Sequence, residues 1–242
     1  MITLLKKNDQ IVYDEKKNGW LVLFNKEADW TSFDVVKKVR NIVNIKKVGH
    51  AGTLDPFATG LLILGIADGT KSLGRLSGLS KHYSAEIHFG IETDTYDCTG
   101  QIVQTRPVKN ITLNQIESAL VELSGEIWQT PPMFSAKKIN GQRLYKLARK
   151  NIEVEREPEK ITVYSYEIIN WKVPVLSVRL HVSKGAYIRA YANDLGRKLE
   201  CGAHLAKLSR DRIGDFDIMD AFTIGEFKLA WNSIMKSDYG NN

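Results

Sequence analysis

The stretch HAGTLDPFATGLLILGIA, residues 50–67, joins a polar loop with two glycines to a mostly apolar run. The run at residues 61–67 predicts a buried strand, and the loop before it holds one acid, Asp55, directly before Pro56. Asp-Pro pairs commonly begin turns, because a residue before proline is driven towards extended geometry. A loop that leads into a buried strand can also hold a side chain rigidly. Asp55 is therefore a candidate catalytic residue as well as a candidate turn residue.

The length and composition predict a globular protein with a sizeable core, since 43% of the 242 residues are hydrophobic. No repeat, low-complexity tract or linker divides the sequence, so we predict a single domain over residues 19–242. The extension at residues 1–18 would form a hairpin or an arm. The longest apolar runs, residues 20–24 and 61–67, are shorter than the roughly 18 residues of a membrane span, and the N-terminus lacks a signal-peptide pattern. We therefore expect a cytoplasmic protein without a membrane partner.

The cysteines and histidines do not predict a metal site. Cys98 and Cys201 lie far apart in the sequence and are expected to be reduced thiols. The five histidines are scattered, without metal-ligand spacing: His50, His82, His88, His181 and His204. We expect neither a metal nor an organic cofactor.

The charge favours a polyanionic partner. There are 34 Lys and Arg residues against 28 Asp and Glu, which gives a net charge of +6 and a pI near 9.1. Basic residues cluster around two predicted helices: Lys37, Lys38, Arg40, Lys46 and Lys47 around the first, and Lys137, Lys138, Arg143, Lys146, Arg149 and Lys150 around the second. Either cluster alone also fits a solvated helix face. The interleaved rings of Phe134 and Tyr145 favour nucleic acid, because rings offer stacking surfaces beside cations.

Periodicity predicts an α+β fold. Thr31 or Ser32 is expected to cap a first helix, while Thr112 with Gln115 and Thr223 with Glu226 form capping boxes of two others. Gly125 is expected to end the second of these helices. Residues 83–91 and 176–182 alternate between apolar and polar and predict strands, and residues 188–199 predict a helix. Because strands and helices do not alternate regularly, we predict a mixed, largely antiparallel central sheet flanked by helices and loops.

Five segments in order resemble the motifs of TruB-type tRNA pseudouridine synthases, over roughly residues 20–227. Residues 49–62 resemble the signature loop of that family. The other segments are residues 93–97 with Gly100, residues 129–137 followed by Gly141, Tyr145, Ala148 and Arg149, residues 183–189 followed by 194–196, and residues 201–204 with Leu208 and Arg210. The resemblance implies the pseudouridine synthase fold and the isomerisation of uridine-55 to pseudouridine in the T loop of tRNA.

The implied reaction explains a single carboxylate. It breaks the N-glycosidic bond and rejoins ribose C1′ to uracil C5 without water. Glycoside hydrolases usually need two carboxylates, whereas one suffices here because the uracil is retained and leaves as a stabilised anion. The resemblance makes Asp55 the catalytic residue. Whether it attacks C1′, attacks the uracil ring or removes a proton from ribose C2′ stays open.

The resemblance implies four residues that orient the base and the site: Tyr83, Arg189, Tyr187 and Leu208. Arg189 matches an arginine that pairs with the aspartate, a task suited to a guanidinium fork, although an arginine at a helix start also binds solvent or phosphate. Tyr83 matches a tyrosine that packs on the base and is a candidate to remove the C5 proton. Tyr187 and Leu208 match residues of the uracil pocket. Core packing is the alternative for Tyr83 and Leu208.

The implied RNA-binding residues begin with His50, which matches a histidine that fills the space of the extruded uridine. Extrusion costs a few kcal/mol of stacking, and a plain loop histidine is the alternative. The others are basic: Lys26, Lys137, Lys138, Arg143 and Arg149. The stretch 137–150 is expected to grip the tRNA T arm through its phosphates. Asp94 and Asp97 are expected to orient the catalytic loop, and the protein is expected to be a monomer.

The sequence departs from the family pattern in several places, and two of these departures have expected consequences. The early loop KEADWTS, residues 26–32, lacks the proline and the glycine of the family, and Asp29 tolerates left-handed geometry less readily than glycine. We therefore expect a looser or differently bent loop. Bacterial members commonly carry a C-terminal PUA domain, which this chain is expected to lack, with weaker tRNA binding as the result. A guide-dependent box H/ACA synthase and a non-enzymatic tRNA-binding protein are the alternatives. A guide-dependent synthase relies on the accessory domain. A non-enzymatic protein built on this scaffold would be expected to lack the catalytic acid.

Overall fold

The computed structural model describes residues 2–7, 19–135, 137–139, 141–148, 150 and 152–239. The chain forms two compact units: unit 1 comprises residues 1–81 with 209–242, and unit 2 comprises residues 82–208. None of the helices in the described part combines the length and apolar character that a bilayer crossing requires.

Unit 1 contains the first four strands, three helices and the end of the chain. Its helices are α1 (Ser32–Val43), α2 (Leu73–Ser77) and α6 (Ile224–Tyr239), with 3-10 turns at Asp68–Ser72 and Ile218–Asp220. Its strands are β1 (Ile2–Leu5), β2 (Gly19–Lys26), β3 (Val48–His50), β4 (Thr59–Ala67) and β14 (Phe216–Asp217).

Unit 2 contains the remaining strands and helices. Its strands are β5 (Lys81–Phe89), β6 (Ile91–Thr93), β7 (Ile102–Thr105), β8 (Gly125–Gln129), β9 (Lys138–Ile139), β10 (Gln142–Arg143), β11 (Glu159–Lys172) and β12 (Val175–Val182). Its helices are α3 (Leu113–Glu122), α4 (Leu144–Ala148) and α5 (Ile188–Lys198). Strand β13 (Ala203–Ile213) begins in unit 2 and ends in unit 1.

In unit 1 the strands follow the order β1-β2-β4-β13, with β3 also paired to β4 and β14 to β13. The pairs β1–β2 and β4–β13 are parallel, whereas β2–β4, β3–β4 and β13–β14 are antiparallel. Helices α1 and α6 supply one side of the core, where Trp20 meets Trp231 at 5.4 Å and Phe24 meets Phe227 at 4.9 Å between ring centroids. The predicted strand at residues 61–67 is β4, and its interior is fully buried because both faces are covered.

In unit 2 the first half of β13 is followed by β5, β12, β11 and β8 in the sheet order, and β11 is antiparallel to both of its neighbours. Two hairpins, β6–β7 and β9–β10, stand apart from this sheet. The predicted alternation at residues 83–89 is confirmed, because β5 buries every second residue. Together these pairings confirm the α+β class with a mixed, largely antiparallel sheet.

The predicted helix starts are confirmed and one predicted helix end is wrong. Thr31 is the N-cap of α1 and closes a capping box with Asp34, and the boxes at Thr112 and Thr223 are also formed. Helix α3 stops at Glu122, so Gly125 does not end it. Gly125 instead opens β8 with a φ of +72°, a conformation that glycine adopts without steric cost.

The N-terminal residues belong to the sheet of unit 1. Strand β1 pairs in parallel with β2, which excludes a hairpin between these two strands. Lys6 forms an ion pair of 2.7 Å with Asp220, and Lys7 forms one of 2.6 Å with Glu226. Residues 8–18 of the predicted extension lie outside the described residues, and the division into an extension and a single domain stays a prediction.

Candidate active site

Asp55 lies half-buried in the loop between β3 and β4. The loop starts from β3, where His50 is paired with Leu64, and Ala51 N–H donates to the Ile63 carbonyl at 2.9 Å. Next to Asp55, the Ala58 N–H donates to the Asp55 carbonyl at 3.1 Å, which closes the turn predicted for an Asp-Pro pair. The Asp55 carboxylate thus lies on a short loop that is anchored at both ends by its flanking strands.

The Arg210 side chain supports this loop through three hydrogen bonds. Its side chain is 1% exposed, and Nε donates to the Leu61 carbonyl at 2.8 Å. The two terminal nitrogens donate to Thr53 at 3.3 Å and to Gly52 at 3.2 Å, again at carbonyl oxygens. One guanidinium therefore ties the start of the loop to its end, because its donors form a fixed planar fork.

Two glycines allow Arg210 to lie this close to the loop that carries Asp55. Gly60 has a φ of +111°, and a Cβ placed on it would come within 2.6 Å of the Arg210 main-chain nitrogen. Gly52 has a φ of +109° and lies against the Arg210 guanidinium. Both positions require glycine on conformational grounds, and Gly60 also requires it for space.

Lys26 is a second buried cation next to the loop. Its side chain is 1% exposed, and its ammonium donates to the carbonyls of Glu27 at 2.8 Å, Trp30 at 2.7 Å and Pro56 at 3.1 Å. Burial lowers the pKa of Lys26 to about 8, and the Asp55 carboxylate acts against this shift. The Lys26 ammonium directs its three N–H groups to these carbonyls and does not present them to a phosphate. This geometry favours a role in holding the loop rather than the predicted contact with RNA.

The early loop at residues 26–32 is anchored despite its missing proline and glycine. Asp29 takes the left-handed conformation, with a φ of 65°, and its N–H donates to the Pro56 carbonyl at 2.8 Å. The Ser32 hydroxyl accepts from the Leu54 N–H at 2.9 Å. These bonds join the early loop to both sides of Asp55. That the loop is looser or differently bent than in the rest of the family stays a prediction.

His50 stands at the start of the loop that carries Asp55, with an imidazole that is neutral near pH 7. Burial lowers its pKa, and the Arg210 charge acts in the same direction. Its Nδ1 is buried and has no hydrogen-bond partner within the described ranges of the chain. A neutral ring is suited to stacking on a base.

In unit 2, Arg189 occupies the first turn of α5 and is 3% exposed. Its terminal nitrogens donate to the carbonyls of Thr95 at 3.0 Å and Phe134 at 2.8 Å, and Nε lies 3.5 Å from Asp97 Oδ2. The alternative of an arginine bound to solvent is therefore excluded. The guanidinium is held in one orientation by two of the predicted motifs, residues 93–97 and 129–137.

Asp97 also organises its own loop. Its Oδ1 accepts from the Thr95 hydroxyl at 2.8 Å, the Thr99 hydroxyl at 2.6 Å and the Thr99 N–H at 2.9 Å. Asp94 accepts from the Gln101 N–H at 2.8 Å. Within unit 2 the two aspartates thus order residues 93–101, and Asp97 connects that loop to Arg189.

Tyr187 is positioned through its main chain by Gln129. The Gln129 amide donates to the Tyr187 carbonyl at 3.1 Å and accepts from the Tyr187 N–H at 2.8 Å. Burial raises the pKa of the Tyr187 hydroxyl, so this group is protonated at neutral pH. Tyr83 in β5 and Leu208 in β13 are both 8% exposed. Burial alone fits a pocket wall and core packing equally well.

The basic stretch at residues 137–150 forms the β9–β10 hairpin and helix α4. Lys137 is half-buried and pairs with Glu159 at 2.8 Å. Arg149 lies outside the described residues, as do the side chains of Lys138 and Arg143. Their contact with RNA stays a prediction.

Two of the supporting residues were not singled out from the sequence. Gln129 gave no signal beyond its place in a motif. Arg210 stood in a motif without an assigned role, although a charged residue in the apolar alternation of a strand is a signal for a buried partner.

In the described part of the chain, no three His, Cys, Asp or Glu side chains are grouped as a metal ion would require.

Solved structures show which class of protein has this fold. A Cbf5-Nop10-Gar1 complex matches with a TM-score of 0.71 at 24% identity, over 97% of this chain and 64% of that chain. A structure of an H/ACA RNP bound to a substrate RNA containing 2′-deoxyuridine matches with a TM-score of 0.67 at 23% identity, over 91% and 55%. At such identities the likeness defines the fold alone, which is the pseudouridine synthase fold.

Sequence comparisons define the family. The model described as "TruB family pseudouridylate synthase (N terminal domain)" matches residues 40–188. A tRNA pseudouridine synthase B of Ureaplasma urealyticum is 48% identical over 228 residues, which are 93% of this chain and 98% of that protein. One of Dehalococcoides mccartyi is 47% identical over 206 residues, 85% and 69% of the two chains. The chain belongs to the TruB family of pseudouridylate synthases and is an enzyme of that class.

Proposed function

We propose that this enzyme isomerises uridine-55 to pseudouridine in the T loop of tRNA, with Asp55 as the catalytic carboxylate. The reaction breaks the N-glycosidic bond and rejoins C1′ to uracil C5, which releases the C5 proton. The observation that carries the proposal is that the family's signature loop holds one acid, Asp55, on a segment fixed by Arg210 and Lys26. The relatives named as tRNA pseudouridine synthases support tRNA as the substrate.

A fixed carboxylate suits either proposed role of Asp55. Nucleophilic attack on C1′ or the ring, and proton removal from C2′, both need the carboxylate oxygen held within about 0.5 Å of its productive position. The hydrogen bonds around the loop reduce the reorganisation that would otherwise precede the reaction. Arg189, Tyr83, Tyr187 and Leu208 are proposed to orient the base and the site, and His50 to fill the space of the extruded nucleotide.

The test is release of tritium from uracil C5 of an unmodified tRNA transcript, with parent protein, Asp55→Asn and Asp55→Glu. We expect Asp55→Asn to lose roughly 10²- to 10⁴-fold or more of the rate, the scale of a positioned acid–base or nucleophilic group, while RNA binding is kept. Asp215→Asn is the matched control, since Asp215 is an exposed carboxylate in a turn. A normal rate in Asp55→Asn would refute the catalytic assignment.

The position of the modified base needs a separate substrate. A transcript with cytidine at position 55 should release no tritium above background, whereas transcripts with cytidine at other T-loop positions should react. Activity that appears only after a guide RNA is added would instead indicate a guide-dependent synthase. Binding without any release from the parent protein would indicate the non-enzymatic alternative.

We further propose that the enzyme acts as a monomer without metal or organic cofactor. Full activity after exhaustive dialysis against a chelator, and a sedimentation mass of one chain at assay concentration, are the expected results. Activity restored only by an added divalent ion, beyond its effect on RNA folding, would contradict the first point.

A further inference from the structure

Unit 2 contains a groove at the edge of strand β11 that the proposed reaction does not use. The volume of this β11 groove is about 460 Å³, which lies within the range of roughly 300 to 1,000 Å³ that is typical of small-molecule sites. It is lined by Ser124 and Gly125, which follow helix α3, and by residues 162–166 of β11. The lining shares no residue with the sets proposed for catalysis, base orientation or RNA binding, so the groove is a candidate for a second ligand site.

The groove lies where strand β8 stops covering the edge of β11. Strand β8 pairs with β11 only from Glu159 to Val163, whereas β11 continues to Lys172. Strand β12 pairs with the other edge, and β8 is the only strand of the described residues that pairs with this one. Main-chain N–H and C=O groups beyond Val163 are therefore available to a ligand on this edge. The register with β12 also shifts between Val163 and Ser165, an irregularity of the kind that redirects side chains next to sites.

The lining of the β11 groove is uncharged and rich in hydroxyl groups. Hydroxyls are carried by five of its seven residues: Ser124, Thr162, Tyr164, Ser165 and Tyr166. Each hydroxyl can both donate and accept a hydrogen bond. Among the lining residues Val163 is the only aliphatic one, and the two phenol rings supply a flat apolar surface. These groups suit a flat ligand that carries donors and acceptors along its edge.

The Tyr164 ring is exposed and is supported by two further rings. Tyr164 is 56% exposed, and its ring centroid lies 4.7 Å from that of His181. His181 in turn stacks on His82, with 3.9 Å between the ring centroids and 10° between the planes. The three rings form a row across β11, β12 and β5. An exposed ring in a supported position is a stacking surface for a nucleobase, and every base has a face that can stack on it.

The row of rings and the proposed active site lie on opposite faces of the sheet of unit 2. Successive residues of a strand point to opposite faces, and β5 buries Tyr83 while His82 and Ser84 lie on the other face. A ligand stacked on the row is therefore separated by the sheet from the base that Tyr83 is proposed to contact.

The charges beside the β11 groove cancel. Lys160 pairs with Glu126 across β11 and β8 at 2.7 Å, and Arg179 pairs with Glu167 across β12 and β11 at 3.1 Å. A neutral surface is not suited to the phosphate backbone, whose binding requires unneutralised Lys and Arg. A peptide strand on the β11 edge would need pockets for its alternate side chains, whereas this lining presents rings and hydroxyls. The heterocycle of a nucleobase fits both the rings and the absence of net charge.

We propose that the β11 groove binds the nucleobase of a ribonucleoside. The base would stack on Tyr164, and its edge would form hydrogen bonds with the hydroxyls of the lining and with the main chain of β11. A free nucleoside and an unpaired nucleotide of RNA share this chemistry, and either can be the source of the base. The inference does not rest on the proposed function, because the groove and the active site have no residue in common. Since stacking is the main contact, binding should depend little on salt.

The test measures binding of adenosine and of a single-stranded adenosine oligonucleotide by calorimetry, with saturating T-arm stem-loop present to occupy the active site. Tyr164→Ala should weaken the binding by about tenfold or more, the scale of one lost stacking contact. Ser165→Trp, which fills the groove from an exposed position, should weaken it to a similar extent. Ile169→Ala is the control, because Ile169 is an exposed side chain of the same strand outside the groove. The control should change the Kd by less than about twofold.

Two further measurements separate the β11 groove from the active site. The kcat for tritium release from tRNA should be the same in Tyr164→Ala and in the parent. The Kd of adenosine at about 400 mM salt should lie within about twofold of its value at about 50 mM, because no counterions are released from a backbone. A Kd that rises steeply with salt in the oligonucleotide titration, and that Tyr164→Ala does not change, would assign the binding to basic residues and overturn the proposal.

The remaining outcomes are equally decisive. Saturable binding of neither ligand, or binding that both groove variants leave unchanged, would overturn the proposal. Binding of a peptide with the sequence of residues 125–129, without binding of adenosine, would overturn it in favour of strand addition to β11. Adenosine binding that Tyr164→Ala weakens supports a free nucleoside, and such binding of the oligonucleotide alone supports unpaired RNA.

Failure of the proposed function is distinguishable from failure of this inference. A parent that binds either ligand in the groove but releases no tritium would refute the proposed reaction and retain the groove. If Tyr164→Ala melts below the parent, Tyr164→Leu, which keeps an apolar side chain without a ring, is measured instead. Unchanged binding in that variant overturns the proposal.

Discussion

The loop of residues 50–60 and the loop of residues 93–101 are both held by several hydrogen bonds, but the bonds come from different parts of the chain. The first is held by Lys26 and Arg210, which come from 30 residues before Pro56 and about 150 residues after Leu61. The second is held by its own threonines and aspartates within seven residues of sequence. The comparison teaches that a loop's own sequence reveals its shape only when the loop supplies its own hydrogen bonds.

The physical difference lies in the donors. In the first loop, buried cations donate to main-chain carbonyls, so each cation must be brought there by a strand and desolvated. In the second loop, carboxylates accept from hydroxyl and N–H groups a few residues away, as in Asx and ST turns. The first arrangement should therefore be the more sensitive to substitution, because its loss leaves buried polar groups without partners.

Gly60→Ala should have the largest effect. Its φ of +111° disfavours a side chain, and the new Cβ would meet the Arg210 main chain at 2.6 Å. Strain and overpacking together predict a loss of about 4 kcal/mol in the free energy of unfolding. Urea unfolding checks this, with Gly74→Ala as control, because a Cβ on Gly74 meets nothing within 4 Å. Equal stability of the two variants would contradict the close approach of Gly60 to Arg210.

Arg210→Met should be the next most damaging. The carbonyl of Leu61 would lose its donor in a buried place and those of Gly52 and Thr53 in a partly buried one, which predicts about 3 kcal/mol of destabilisation. We expect the rate of tritium release to fall as well, since the loop that carries Asp55 loses its support. Arg212→Met, at an exposed position of the same strand, is the control. An unaffected rate in a folded Arg210→Met would show that the loop is held by other contacts.

Lys26→Met should cost about 2 kcal/mol at pH 7, because three carbonyls lose a donor. It should also change the pH dependence of stability. Burial lowers the folded-state pKa from 10.5 to about 8, so between these values the unfolded chain binds a proton that the folded chain lacks. The free energy of unfolding of the parent should therefore gain a rising contribution from about pH 8 to 10.5.

The measurement is urea unfolding of parent and variant at several pH values across that window. The difference between them should grow with pH, because the methionine variant lacks the rising contribution. Lys38→Met, an exposed lysine in α1, should run parallel to the parent. A difference that shrinks with pH would mean that the charged ammonium is favoured by its surroundings.

Asp97→Asn tests the second loop and should have the smallest effect on stability, about 1 to 2 kcal/mol. The amide oxygen can still accept from Thr95 and Thr99, while the charge near Arg189 is lost. We expect the rate of tritium release to fall more than stability does, because Arg189 loses an orienting partner. Asp215→Asn, at an exposed position in a turn, is the control. A larger loss of stability than in Arg210→Met would reverse the comparison between the loops.

Much of the fold could be predicted because its signals are local. The N-cap at Thr31, the capping boxes at Thr112 and Thr223 and the alternation of β5 depend on residues three or two positions apart. The end of α3 could not be predicted from Gly125, because a glycine with positive φ serves a strand start as well as a helix end. The parallel pairing of β1 with β2 was likewise not encoded in either strand alone.

By itself, the sequence determined the helix starts, the alternating strand β5, the family and the acid that stands in its signature loop, because these depend on spacing along the chain. Only the tertiary structure decided that Lys26 turns inward, that Arg210 spans the loop of Asp55 and that Asp97 faces Arg189. The physical reason is that the sequence around a buried charged residue does not reveal which groups it will contact. Its partners are the carbonyls and carboxylates that distant strands and helices bring within hydrogen-bond distance.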